Sequence, residues 1–479
     1  MKGFLPAPAR SITGVRWFGL DLAKRESQLA VLDEKGQLIT QKRFTTTREN
    51  LLALADELRT EDTIALEVTT NAVSIARLLR QHCTARLIMS NPIKTKLIAH
   101  AKVKTDKVDA RVLAELARVG YLPEVWLPDE DTESLRQFFS DRRSLVDRRT
   151  ELKNTVHSVL HRNLIVPNQS DIFGTGGRVW LNQLINRQLP IQITELDRLR
   201  LGSLLTEIDR QDALIGDQDS IIASFIATRP GLKRQLDLLV SIPGVSLIVG
   251  AGVLAAIGDI KRFASPKKLA AYFGVVPSTK QSGDKEASHG RITKQGNSHA
   301  RWLLVEAAEH LRKSPGPLRS MFQRICKQRG HNVAVVGIAR KLAELVWHLL
   351  TKEREYLYAV PKRTIDKRSS WRLLAKRRIG IELKSAARRA IGRPVLDGTG
   401  EAGTKLKREI VRRAAEQSER IYRAMVSQQH QSKADGQSAD PGIRREDVIF
   451  DPTRPVQTDW ETILAKVAEK LIAAKKQRA

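Results

Sequence analysis

Cysteine is nearly missing from this chain: 479 residues carry two, Cys83 and Cys326, both in apolar helical contexts. That excludes a disulfide framework, argues against a cysteine-based zinc site, and fits a reducing compartment. Aromatic residues are scarce at 5%, so Leu, Ala, Ile and Val must fill the apolar positions. No stretch approaches the ~18 uncharged apolar residues that a membrane span needs. The opening MKGFLPAPARSITGVRWFGLDL has no continuous apolar segment of the signal-peptide kind. The expected location is the cytoplasm. Acidic residues are in deficit, 53 Asp plus Glu against 82 Lys plus Arg, for a net charge of +29. The pI is about 10.3. A basic excess spread over every segment points to nucleic acid, through phosphate neutralisation, rather than to a membrane surface. The length suits two or three domains, and 41% hydrophobic residues suffice to build their cores.

The first 120 or so residues alternate strand and helix signals. Residues 14–21 (GVRWFGLD), 27–33 and 36–44 read as three strands, the last two around the turn Asp33-Glu34-Lys35-Gly36. A helix follows over 47–60, a buried strand over 62–68, a helix over 71–81 and a strand over 85–92, stopped at Asn91-Pro92. A third helix carries Ala110, Val112, Leu113, Leu116 and Ala117 as its apolar stripe. The order β-β-β-α-β-α-β-α predicts an α/β domain. Its mixed sheet should be an antiparallel hairpin on one side and helix-covered parallel strands on the other.

Four acids fall at telling places in that order. Asp21 ends the first strand, Glu67 ends the fourth, and Asp106 and Asp109 open the last helix. Residues three apart share a helical face, and negative charge is favoured at a helix N-terminus. Sites in open α/β sheets form at the carboxyl ends of strands. Carboxylates gathered there repel unless cations neutralise them, and two Mg²⁺ ions shared by such a cluster suit phosphodiester chemistry. Each acid alone is equally an ordinary strand-end or first-turn residue. Lys94, Lys96, Lys102 and Lys104, just before the helix, are candidate nucleic-acid contacts.

Residues 133–165 and 193–228 are helical. Phe138, Leu145, Leu152 and Val159 are seven apart, as are Leu201, Ile208, Ile215 and Ile222. Such heptads suit a coiled-coil arm, within one chain or between protomers, and equally suit ordinary core helices. The Gly/Asn/Pro-containing stretch 166–190 between them favours a hairpin. A second compact region starts near residue 235. LVSIPGVSLIVGAGVLAAIGDIKRF (239–263) reads as two helices about a Pro-Gly turn. It is either a buried helical hairpin or a turn whose Gly244 allows close approach of a DNA phosphate. In 278–311, glycines at 283, 290 and 296 precede a helix, and Arg291, Lys294 and Arg301 with the loop amides suggest a phosphate cradle.

The stretch from 360 to 479 is basic and uneven. Residues 363–394 interleave Arg and Lys with Trp371, a form that suits a nucleic-acid backbone or a solvated helical face. Residues 427–442 read as a disordered linker, and 458–479 as an amphipathic helix capped by Thr458 and Glu461.

GLDLAK (19–24), ALEVT (65–69) and KTDKVDA (104–110) resemble the three acidic motifs of the DEDD transposases, recombinases of a bacterial insertion-sequence group. Gln281-Ser282-Gly283 followed by Gly-Arg-Ile-Thr-Lys-Gln-Gly-Asn resembles the second signature of the same family. The resemblance covers about 14–125 and 235–355 and departs at Val245-Ser246, where Ile-Gly or Val-Gly is expected. It implies an RNase H/RuvC-like metal-binding domain over 14–125, a helical coiled-coil arm over 130–230 and a transposase domain over 235–355. The basic extension 360–479 has no counterpart. It further implies Mg²⁺ on Asp21, Glu67, Asp106 and Asp109, and Ser282 as the nucleophile that attacks DNA, with Ser278, Ser288 and Ser298 as local rivals. Partners would be DNA and a noncoding bridge RNA, and the protein a dimer or tetramer. The alternatives are a junction resolvase or other metal nuclease, for which Ser282 is structural, and a nucleic-acid-binding protein without catalysis.

Overall fold

Phe18 and Leu20 alternate with Trp17, Gly19 and Asp21 along WFGLD, the first strand, and the first domain is built outward from it. A computed structural model describes residues 14–98, 106–281 and 288–379. The chain divides into two compact units, one up to Pro128 and one from Asp129 onward.

In the first unit β1 (Trp17–Asp21), β2 (Glu26–Leu32) and β3 (Leu38–Thr45) precede α1 (Arg48–Glu57), β4 (Thr63–Glu67), α2 (Ala72–His82) and β5 (Arg86–Ser90). Two helices follow, α3 (Pro92–Ile98) and α4 (Asp106–Arg118). The five strands lie in the order β3-β2-β1-β4-β5. β1 runs antiparallel to β2 and parallel to β4, and β4 is parallel to β5. The mixed sheet is thus as expected. The short α3 was not anticipated; Asn91 starts it, its side-chain oxygen accepting the amides of Ile93 and Lys94.

The pleat sorts the residues between two faces. Phe18, Leu20, Leu29, Ile64, Leu66 and Met89 point to one side, where they pack with Leu51 and Leu54 of α1 and Ala76 and Leu79 of α2. The other side carries Gly19, Ala65 and Ile88, and α4 lies on it through Leu113 and Ala117. At the start of β1 and β4, Arg16 and Asp62 form a fully buried ion pair, Nη2 to Oδ2 at 2.5 Å.

The second unit is almost wholly helical. Its helices are α5 (Glu130–Arg162), α6 (Thr175–Ile185), α7 (Glu195–Ala227), α8 (Pro230–Leu239), α9 (Leu247–Ile257) and α10 (Pro266–Tyr272). A hairpin of β6 (Pro277–Lys280) and β7 (Ser288–Ile292) comes next. Then follow α11 (Ser298–Leu311), α12 (Pro317–Arg329), α13 (His331–Lys352) and α14 (Pro361–Ile379).

The two 33-residue helices α5 and α7 run antiparallel. Arg142 pairs with Asp219, Arg149 with Asp212 and Arg162 with Asp197, so numbers rise on one helix as they fall on the other. Leu201, Ile208, Ile215 and Ile222 are all buried, as are Leu152 and Val159, whereas Leu145 is half-buried. α9 is apolar all round and buried along nearly its whole length, the position expected of a helix without a polar face. α8, α11, α13 and Trp371 of α14 contribute to the same core. Among the described residues, no helix is long and apolar enough to cross a membrane.

Candidate active site and nucleic-acid contacts

The acids of the first unit stand in one row. Register pairs Gly19 with Ala30 and Ala65, and Ala65 with Ile88. Two residues further along, on the same face, Asp21 pairs with Gln28 and Glu67 with Ser90. Asp21 and Glu67 each follow the registered pair Leu20 and Leu66 on adjacent parallel strands. They therefore end side by side, with backbones about 4.8 Å apart. The row across the sheet is Gln28, Asp21, Glu67, Ser90.

α4 brings the other two acids to that end. It can approach β1 because Gly19 has no side chain: a Cβ there would stand 1.9 Å from the Ala110 carbonyl and 2.6 Å from the Ala114 amide. Gln41 donates to the Lys107 carbonyl at one end of α4, and Arg118 to the Glu34 carbonyl at the other. Glu34 lies in the β2–β3 turn, beside the start of β1, so the first turn of α4 points toward the end of β1. Asp106 and Asp109 occupy that turn. They share the stripe of Leu113, which packs against Ala65 and Ile88. Asp106 is exposed, and Asp21, Glu67 and Asp109 are half-buried.

The donor set is all carboxylate, the chemistry that suits a hard divalent cation such as Mg²⁺. The Ser90 hydroxyl is wholly buried in the same row with no hydrogen-bond partner among the described residues. That is the kind of orphaned polar atom that a bound group or water would satisfy. Among the described residues, no three carboxylate, imidazole or thiol groups converge closely enough to hold an ion. Lys102 and Lys104, in the segment before Asp106, lie outside the described residues, whereas Lys94 and Lys96 are exposed on α3. Gln28 and Ser90 escaped the sequence reading because neither carries charge. Their only signal was position at matching strand ends.

In the second unit Ser282 lies outside the described residues, between β6 and β7 in sequence. Of its rivals, Ser278 is half-buried, and Ser288 and Ser298 are exposed. After β7 the loop 293–297 interlocks with the turn that follows α10. Gly296 has φ +89°, and a Cβ on it would stand 1.9 Å from the Tyr272 carbonyl; one on Gly274 would stand 2.2 Å from the Gln295 carbonyl. Arg301 bridges the two segments, Nη1 donating to the Phe273 and Lys294 carbonyls, both at 3.2 Å. The amides of Thr293 and Lys294 donate to Val276 and Gly274. Those two amides and that guanidinium nitrogen, expected to face a phosphate, are thus engaged within the fold, while Arg291 and Lys294 present exposed side chains.

The turn around Gly244 also has internal partners. Gly244 has φ +84°, and a Cβ on it would stand 2.7 Å from the Ala307 carbonyl of α11. Close approach here serves helix packing. Ser246, where a glycine was expected, caps α9 by accepting the Val249 amide. The Lys367 ammonium of α14 reaches the carbonyls of Val240, Ile242 and Val245 at 2.7, 2.7 and 2.9 Å. Its pKa is lowered to about 8, chiefly by burial and then by Arg363 and Arg368. α14 is solvated on one face, through Arg363, Asp366, Ser369, Ser370 and Arg378, but its other face is turned inward. Trp371 is 2% exposed and sits in the core, and Arg368 and Arg372 pair with Asp237. The remainder of that extension, with the linker at 427–442 and the helix at 458–479, lies outside the described residues.

Two family models match the chain. One for DEDD transposases of the IS110 group matches residues 18–164, and one described as "Transposase IS116/IS110/IS902 family" matches 236–322. The chain belongs to this family of DEDD insertion-sequence transposases. A transposase for insertion sequence element IS1111A from Coxiella burnetii is 27% identical over 360 residues, 72% of this chain and 93% of that protein. The putative transposase y4qE from Sinorhizobium fredii is 31% identical over 252 residues, 52% of this chain and 56% of its own. A pilin gene-inverting protein from Moraxella bovis is 25% identical over 263 residues, covering 53% and 68% respectively.

Proposed function

We propose that this protein cuts and rejoins insertion-sequence DNA, with Ser282 as nucleophile and Asp21, Glu67, Asp106 and Asp109 as the ligands of Mg²⁺. Family membership makes it a DNA transposase. The observation that carries the finer reading is the polar row across the sheet end, where Asp21 and Glu67 stand in adjacent register and α4 directs Asp106 and Asp109. The strand order β3-β2-β1-β4-β5, antiparallel then parallel, supports an RNase H/RuvC-like reading of this unit. The antiparallel α5–α7 pair supports a coiled-coil arm.

In the reaction the Ser282 Oγ attacks a phosphodiester phosphorus. A P–O bond to serine forms, the P–O3′ bond breaks, and the serine proton ends on the departing 3′ oxygen. The 3′-hydroxyl of a second strand then attacks the phosphoserine, which restores the serine hydroxyl and joins the new strands. Magnesium at the carboxylates would supply neutralisation of the charge that develops on phosphate oxygens. Asp21 and Glu67 hold fixed positions because their strands are registered, and α4 sets Asp106 and Asp109 by its seat on Gly19. A net charge of +29 supports simultaneous binding of DNA and a guiding bridge RNA. Work on two duplexes calls for a dimer or tetramer.

The test uses the purified protein, co-expressed with its flanking noncoding DNA, on a labelled element-junction substrate with Mg²⁺. Wild type should give a covalent protein–DNA adduct and joined product, both lost in Ser282→Ala and Asp106→Ala. Cleavage that survives Ser282→Ala but not Asp106→Ala would replace this reading with a metal nuclease. Intact binding without cleavage in any lane, with the RNA supplied, would leave a binding protein.

A further inference from the structure

Among the described residues two large aromatic side chains are exposed, Tyr121 of the first unit and Trp302 of the second. Trp302 of α11 is 48% exposed, whereas Leu303, Leu304, Ala307, Ala308 and Leu311 carry the buried stripe of that helix. Among the described tryptophans it is the exposed one. His299, one turn earlier, stacks on it with centroids 5.8 Å apart and planes 21° from parallel. His299 leans in turn on Phe139 of α5, centroids 5.9 Å apart. The His299 Nε2 is buried with no hydrogen-bond partner among the described residues. The indole is thus backed by a ring that is itself wedged against the core, and its orientation is fixed while about half its surface stays open.

The surroundings are basic. Burial first, then the charges of Arg143 and Arg142 on α5, lower the His299 pKa and favour the neutral ring. Arg142 is paired with Asp219, while Arg143 is 54% exposed and only loosely paired with Asp147 at 3.5 Å. Arg291 and Lys294 are exposed in the segment that leads into α11. Glu306, four residues beyond Trp302, is the exposed acid on that side of the helix. A fixed, open aromatic with the exposed Arg143 beside its backing ring, and with exposed Arg291 and Lys294 in the segment just before its helix, matches the two requirements of single-strand binding, a flat surface for a base and positive charge for the backbone.

We propose that Trp302, backed by His299, is a stacking shelf for an unpaired base of single-stranded DNA or RNA, with phosphates of the same strand drawn to Arg143, Arg291 and Lys294. This rests on the reading that the chain handles nucleic acid, and not on Ser282 or the carboxylates. Stacking on an indole is tolerant of base identity, so the shelf accepts any sequence but requires a strand that is not paired.

The test measures dissociation constants of the full-length protein by fluorescence anisotropy for single-stranded DNA, single-stranded RNA and duplex DNA of one sequence. Trp302→Ala should weaken one or both single strands roughly 5- to 150-fold, the range of one lost base–aromatic stack. Trp302→Phe should recover most of the loss, and duplex affinity should hold. The strand that responds identifies the source of the base. Unchanged single-strand affinity, or an equal loss on duplex, overturns the proposal. In parallel, wild-type protein is irradiated with oligonucleotides carrying 5-iodouracil. A crosslink at Trp302 is expected, and crosslinks confined to other residues refute the shelf even if the alanine variant folds poorly. Joined product is scored separately on the junction substrate, so failure of the shelf is distinguishable from failure of the recombination chemistry.

Discussion

Gly19 of β1 lies directly under Ala110 of α4: a Cβ at residue 19 would stand 1.9 Å from the Ala110 carbonyl oxygen. The contact is backbone to backbone, so no rotamer change can relieve a larger residue. It links the strand that ends in Asp21 to the helix that begins with Asp106.

Gly19→Val must therefore push α4 off the sheet. Overpacking of this kind costs about 1–3 kcal/mol or more, read as a lowered thermal midpoint. Strand joining should fall further than stability does, because Asp106 and Asp109 move with the helix. Full activity in Gly19→Val would show that the seat of α4 does not set the acids.

The Arg16–Asp62 pair pins the starts of β1 and β4. Arg16 and Asp62 are 1% and 0% exposed, and Asp62 also accepts the Arg59 amide. Asp62→Ala leaves a buried guanidinium without its counter-charge, a loss of about 3–5 kcal/mol. Urea denaturation measures it, and a change under 1 kcal/mol, on the order of a surface pair, would contradict the burial.

His299 makes stability depend on pH. Its folded pKa lies below the ordinary 6.5, from burial first and then Arg143 and Arg142. As pH falls through about 6.5 the unfolded chain takes up a proton before the folded one does, so stability is lost on the acid side. Thermal midpoints from pH 8 to 5 should fall more steeply for wild type than for His299→Gln. Parallel curves would sink this assignment.

Two heptad residues of the long helices should respond unequally. Ile208 is buried at 1% exposure, and Leu145 is half-buried. Ile208→Ala should cost about 2–5 kcal/mol, as buried truncations do, and Leu145→Ala clearly less. Denaturant midpoints of the two variants decide this.

The mixed sheet was legible because its strands are short apolar runs between turn signals, and because acids at strand ends stand out in such runs. α3 was missed because seven residues opened by Asn-Pro look like the tail of a strand. For Gly244 the sequence left two readings open, a nucleic-acid contact or a buried hairpin. For Trp371 it left a nucleic-acid or a solvated face, and Arg301 was read as part of a phosphate cradle. What they touch depends on carbonyls and cores supplied by distant segments: Phe273 for Arg301, Ala307 for Gly244, the α9 core for Trp371. Trp302 was readable in principle, since the spacing of Leu303, Leu304, Ala307 and Ala308 leaves it off the buried stripe. Its partner His299 was readable only as a neighbour at i−3.

The proposed divalent-metal centre joins Asp21, Glu67 and the first turn of α4. Iron-directed backbone cleavage tests it most directly. Fe²⁺ replaces Mg²⁺ on the full-length protein bound to junction DNA, ascorbate and peroxide are added, and the cut sites are mapped. Cuts clustered at residues 21, 67 and 106–109, and abolished together by Asp21→Asn, are the predicted result. Cuts elsewhere, or a pattern indifferent to Asp21→Asn, would contradict the account.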